Sequence, residues 1–226
     1  MPNARPDYWR FLLPAVLMLA ALAAFGVDLP VAMQLKRWNV EAGPGCSRTI
    51  AAKLGYPDMF ELFGHGLGVV VALLMLHQLD PARRWAMPRV AACALGAGAA
   101  ADLLKLIIAR NRPYDLPSTF GGSVWATFSQ WFPPLCNSSG LQGFPSAHTA
   151  TAVGLAAALI WLYPQGRFLF TLLAILVACQ RIASTAHFPS DVLIGAALGC
   201  LVSTFVLYVG RLPVWFSRWE SRWRSE

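Results

Sequence analysis

The chain has 226 residues, of which 57% are hydrophobic and only 13% charged, with mean hydropathy +0.52 and a net charge of +7. An ordinary soluble domain carries roughly 25% charged residues, so this composition excludes a pair of soluble domains and indicates one integral membrane domain over residues 1–226. The positive charge sits mostly at the ends of apolar segments, which points to anionic headgroups, and no RRM, zinc-finger or helix-turn-helix pattern suggests a nucleic-acid partner.

A membrane-crossing helix needs about 20 largely apolar residues. Six segments qualify in chain order: roughly 11–27, 60–79, 90–109, 148–163, 168–182 and 192–209. The predicted fold class is therefore all-α, a polytopic helical bundle with about six transmembrane helices. The first segment follows Arg5 and Arg10 and ends in small residues, as a signal peptide does, but its apolar run is long for one. We read it as an uncleaved anchor.

The arginine and lysine pattern sets the orientation. With the N-terminus inside, the cytoplasmic side holds Arg5, Arg10, Arg83, Arg84, Arg89, Arg167 and the C-terminal arginines. Lys36, Arg37, Arg48 and Lys53 fall on the other side and weaken the asymmetry. In a Gram-negative bacterium this topology places the protein in the inner membrane, with the end of the third span, the start of the fourth and the turn from fifth to sixth facing the periplasm.

Those three places carry three polar motifs. In the first, Lys105 and Arg112 are seven residues apart, about two helical turns, so they can share a helix face before Pro113 ends it. Together they suit a phosphate, although basic residues at span ends also snorkel to the interface for no further reason. In the second, Ser146 is placed to cap the fourth span, and the amides at Ala147 and His148 would then form an anion site at a helix N-terminus. The simpler reading is a plain serine cap beside an interfacial histidine. In the third, Arg181 ends the fifth span, and His187 and Asp191 are four residues apart. A carboxylate at that spacing can accept an imidazole N–H and fix the tautomer, while the alternative is a surface histidine with Asp191 serving the helix terminus.

Taken together, K-x6-R-P, P-S-A-H and R-x5-H-x3-D resemble the type 2 phosphatidic acid phosphatase (PAP2) superfamily, over about residues 102–199. Two positions depart from its pattern: Ala147 replaces the glycine of P-S-G-H, and Gln180 replaces the usual serine before Arg181. The resemblance implies a hydrolase that works without metal or other cofactor through a phosphohistidine. His187 would be the nucleophile oriented by Asp191, and His148 the acid and base. Lys105, Arg112, Ser146, Ala147 and Arg181 would hold the phosphate, with Gln180 as an auxiliary. The substrate implied is a lipid phosphate; compartment alone favours a prenyl diphosphate such as undecaprenyl diphosphate, or another envelope lipid. Transfer to an acceptor lipid is the alternative reaction, and a non-catalytic lipid-phosphate binder or transporter is the alternative class.

Three further readings concern the periphery. Cys46 and Cys136 lie in outer loops where a disulfide is possible, whereas Cys93, Cys179 and Cys200 read as core residues. His65, flanked by Gly64 and Gly66, reads first as a helix-packing residue. In the tail, 211–226, Trp215, Trp219 and Trp223 recur every four residues beside Arg218, Arg222 and Arg224, as in an interfacial helix on anionic lipid.

Overall fold

The computed structural model describes residues 7–41, 59–117, 119–131 and 139–223. Cys46 and Cys136 lie outside the described residues. The helices are α1 (Leu12–Ala24), α2 (Asp28–Glu41), α3 (Met59–Phe63), α4 (Gly66–Leu79), α5 (Met87–Lys105), α6 (Ala147–Leu162), α7 (Arg167–Ala183), α8 (Pro189–Leu207) and α9 (Leu212–Trp223). All six apolar segments expected from the sequence are helical over most of their length.

Length and apolarity together qualify three of them to cross a membrane: Pro81–Lys105, which adds a short 3-10 turn to α5, Pro164–Ala183, which does the same for α7, and α8. A fourth qualifies if α1 and α2, bent by 70° at their junction, are taken as one span. Asp28 opens α2 at this bend, and its buried carboxylate is held in an ion network described below.

The second apolar segment is not one helix. It breaks at Gly64–His65, because the His65 imidazole caps α4 by accepting the Leu67 amide N–H at 3.2 Å. His65 is thus a cap rather than a mid-span packing residue. The third segment also ends early. The helix stops at Lys105, and Ile108–Arg110 forms β1, paired antiparallel with β2 (Phe128–Trp131). This two-stranded ribbon, with an isolated parallel bridge from Arg110 to Gln142, departs from the all-α expectation.

Helices α5, α6 and α8 pack at the centre through small side chains. Ala97, Ala101 and Ala150 are fully buried together. Gly154 lies so close to α5 that a Cβ there would meet the Cys93 carbonyl oxygen at 2.4 Å. Such close backbone approach is how apolar helices gain dispersion contact where burial from water is no driving force. The periphery is inverted relative to a soluble protein: Leu13, Leu19 and Leu22 of α1, and Phe168, Leu172 and Ile175 of α7, all point outward. Cys93 is buried as expected, but Cys179 sits on that exposed face of α7 rather than in the core.

At the end of the bundle away from Lys105, Asp80 accepts from Arg83 at 2.6 Å and Tyr163 at 2.8 Å. Arg89 there is buried against α9, donating to both Glu220 oxygens at 2.8 and 2.9 Å. That pair turns one face of α9 inward with Phe216 and leaves Trp215 and Trp219 stacked and exposed on the other.

Candidate active site

Four helix ends meet at the other end of the bundle: the C-termini of α5 and α7 and the N-termini of α6 and α8. The α6 and α8 N-termini are tied directly, the Ser146 amide donating to the Asp191 carbonyl at 3.1 Å. Gly195 permits the approach, since a Cβ there would lie 2.4 Å from the Ser146 carbonyl oxygen.

His187 stands in the turn between α7 and α8, almost fully buried. Its Nδ1 is 2.7 Å from the Gly143 carbonyl oxygen. A carbonyl only accepts, so the proton belongs on Nδ1 and the Nε2 lone pair is left for chemistry. Burial pushes the imidazole well below the usual histidine range; the Arg112 guanidinium adds to that, and so do Lys105 and Arg181, while the Gly143 contact opposes it. The ring is therefore neutral, and three cations lie within electrostatic reach of it.

Asp191 does not orient that ring, contrary to the expectation from its spacing. At the third position of α8 its Oδ2 folds back to accept the Phe188 amide N–H at 2.8 Å, as a helix-start carboxylate does. Its Oδ1 is held by Arg110. The Gly143 carbonyl, 44 residues away in sequence, has taken the orienting position.

Arg110 is the residue that spacing arguments missed. It is fully buried in β1 and bridges Asp191 to Asp28 of α2, the latter at 2.7 Å. Its remaining donors reach Thr127 at 3.0 Å and Ser190 at 2.8 Å, and the Phe188 and Phe128 rings lie 4.2 and 4.6 Å from its guanidinium carbon. Ser190 also donates its amide N–H to Asp28 at 3.0 Å. This network fixes the α8 N-terminus, and with it the turn that carries His187. The R-x-R-P wording of the sequence was the available signal, but nothing in it named Asp28.

The phosphate-binding candidates reach the site from separate elements. Lys105 and Arg112 do not share a helix face, because the helix ends between them and Arg112 is extended at φ −77°, ψ 150°. Lys105 pairs with Asp102 at 2.9 Å. The Arg112 Nε is buried with no hydrogen-bond partner among the described residues. Ser146 caps α6 as expected, with Oγ 3.4 Å from the Thr149 amide and 3.0 Å from the Thr149 hydroxyl. The amides of Ala147 and His148 then stand in the first turn, where helix geometry supplies no acceptor. Ala147 takes helical φ and needs no glycine; the one positive φ among described non-glycine residues is at Thr185. Gln180 is buried and accepts from Arg181 Nε at 2.6 Å, so it aims the guanidinium.

His148 lies across from this group, within electrostatic reach of Arg181, Glu61, His65 and Lys105. Its Nε2 is 3.2 Å from Glu61 Oε1, and the two Glu61 oxygens also accept from Arg181 at 2.9 and 2.7 Å. Glu61 belongs to α3 and to none of the three motifs. Among the described residues no three His, Cys, Asp or Glu side chains converge as metal ligands do.

A family model described as the PAP2 superfamily matches residues 85–214. The chain is 35% identical over 112 residues to a Rhizobium johnstonii protein named lipid A 1-phosphatase, covering 50% of this chain and 43% of that one. It is also 35% identical over 102 residues to a Rhizobium etli protein of the same name, covering 45% and 40%. The chain thus spans less than half the length of these curated relatives. No solved structure matches it.

Proposed function

This chain belongs to the PAP2 superfamily, and from that premise we propose that it is an integral membrane phosphatase that hydrolyses a lipid phosphate through a phosphohistidine. The observation that carries the reading is the buried His187, its Nδ1 within hydrogen-bond distance of the Gly143 carbonyl oxygen, its Nε2 free of that bond, and Lys105, Arg112 and Arg181 within electrostatic reach of the ring.

In the reaction proposed, Nε2 of His187 attacks phosphorus in line. Lys105, Arg112 and Arg181, with Ser146 and the amides of Ala147 and His148, hold the equatorial oxygens as charge redistributes. His148 gives a proton to the departing oxygen, then takes one from the water that cleaves the phosphohistidine. Asp191 acts on the turn, through Phe188 and Arg110, rather than on the ring. No metal is assigned a part in these steps.

The substrate class follows from the surroundings. The bundle is apolar outside, and the Trp125 ring lies exposed beside Phe25 and Phe128 near the site. Those rings suit an amphiphile whose tail stays in the bilayer. The names of the relatives put a lipid A-type phosphate beside undecaprenyl diphosphate as first candidates. We infer six spans, with α4 and α6 crossing despite lengths of only about 21 and 24 Å at 1.5 Å per residue. The arginine-rich end is placed in the cytoplasm and the site in the periplasm of an inner membrane. α9 lies on anionic lipid through Trp215, Trp219 and the flanking arginines.

The test is phosphate release by the full chain in detergent from a panel holding lipid A, undecaprenyl diphosphate, phosphatidate and phosphatidylglycerol phosphate. Release without an acceptor lipid and with EDTA present is the expected result. Activity that needs an acceptor makes it a transferase, and activity lost in EDTA overturns the metal-free mechanism.

A pH prediction follows from His187. The nucleophile is the neutral ring, and its folded value is depressed, so the neutral form persists as pH falls past the ordinary value of about 6.5. The acid limb of kcat/KM assigned to this group is expected below pH 6.5, since kcat/KM reports the free enzyme. An acid-side midpoint at or above 6.5 contradicts the assignment.

A further inference from the structure

We propose that Glu61 is a specificity-setting carboxylate that competes with the substrate phosphoryl group for Arg181 and His148, so that substrate binds, and product leaves, by anion exchange. The inference rests on the phosphatase reading above.

The geometry is that of a held anion. Both Glu61 oxygens sit on the Arg181 fork at 2.9 and 2.7 Å, and the first of them also lies 3.2 Å from His148 Nε2. A planar guanidinium binds carboxylate and phosphate in the same bidentate way. The two residues that Glu61 engages are therefore residues that the phosphoryl oxygens must engage.

Glu61 is built to be exchanged. It comes from α3, five residues long, joined to α4 by the break at Gly64–His65. Its side chain is 31% exposed, against 9% for Arg181, so the carboxylate can return to water while the guanidinium stays fixed. Gln180 holds that guanidinium from its other edge at 2.6 Å. The elbow itself is pressed onto the site: a Cβ at Gly64 would lie 2.5 Å from the His148 carbonyl oxygen, and the His65 and His148 rings are 5.8 Å apart.

Charge sets the direction of exchange. A phosphate monoester or diphosphate end carries more negative charge than one carboxylate and meets Lys105 and Arg112 as well, so it displaces Glu61. Inorganic phosphate, released from its lipid, has lost the tail that anchored it, and the returning carboxylate expels it. A weak anion with no further contacts does not displace Glu61 at all.

The test is equilibrium binding of inorganic phosphate to the full chain in detergent, by calorimetry, for wild type and Glu61→Gln. The variant keeps the shape and one acceptor for Arg181. It is expected to bind phosphate about tenfold more tightly, the worth of one lost charge-assisted competitor, and to show stronger product inhibition. Unchanged or weaker phosphate binding together with a fall in kcat overturns the proposal and makes Glu61 a positioning residue for His148. If Glu61→Gln does not fold, Glu61→Asp draws the carboxylate back by one methylene and must show the same tightening. A wild type that releases no phosphate from any lipid defeats the phosphatase reading itself; a wild type that is active, with a variant that binds phosphate no better, defeats this inference alone.

Discussion

Replacement of His187 by alanine is expected to abolish turnover, lowering kcat by at least about a thousandfold, while the chain stays folded. Loss of a covalent nucleophile leaves only binding and electrostatic stabilisation of the transition state, so little catalysis remains. The imidazole is buried but bonded to a single backbone carbonyl, Gly143. Alanine removes that one contact and leaves a small polar void, not an unpaired charge. Thermal unfolding in detergent is therefore expected to shift by a few degrees only. The discriminating measurement is radiolabelled phosphate transfer to the protein. Wild type quenched in alkali should carry an acid-labile, base-stable label on histidine, and His187→Ala should carry none. His148→Ala, by contrast, retains the nucleophile and is expected to accumulate label when the leaving group is good, because hydrolysis of the intermediate loses its base. Near-normal phosphate release by His187→Ala sinks the assignment outright.

What the sequence displayed and what it hid divide along sequence separation. His148, Arg181, His187 and Ser146 were legible because the short motifs that carry them stand at the ends of apolar runs, although the partners of Arg181, His148 and His187 lie far away in sequence. The helices were legible too, since apolar windows near span length have few other uses. Glu61 and Asp28 were not legible. Glu61 meets Arg181 from 120 residues away, and Asp28 meets Arg110 from 82. No spacing rule reaches that far, and a single carboxylate near an apolar run has many ordinary uses. Asp191 shows the opposite failure. Its four-residue spacing from His187 allowed a contact, but the third position of a helix competes for the same carboxylate. The backbone amide of Phe188 and the charge on Arg110 won. The break at Gly64–His65 does not show in hydropathy, which averages across it, although two glycines flank a side chain able to cap a helix.

Arg110→Ala is expected to be the most destabilising single change in the described core. Asp28, Arg110 and Asp191 are all fully buried, and one guanidinium serves both carboxylates. Removing it leaves two buried carboxyl groups with no cation between them. Breaking a buried pair in this way costs about 3–5 kcal/mol, mostly through the charge left behind. The Ser190 and Thr127 hydroxyls and the facing Phe188 and Phe128 rings lose their central partner at the same step. A drop of roughly 6–20 degrees in the unfolding midpoint, or failure to accumulate in the membrane, is the expected outcome. Arg110→Lys keeps the charge but not the fork, so it should fall between. The cause is separable from simple loss of packing by pairing the change with Asp28→Asn. If the unpaired charge is what destabilises, Arg110→Ala with Asp28→Asn recovers part of the lost midpoint, although each change alone lowers it. If the double variant is as unstable as the sum of the singles, the network contributes through shape rather than charge. Because this network also anchors the turn that holds His187, the recovered double variant should regain stability ahead of activity, as the Asp191 end of the bridge still lacks its guanidinium.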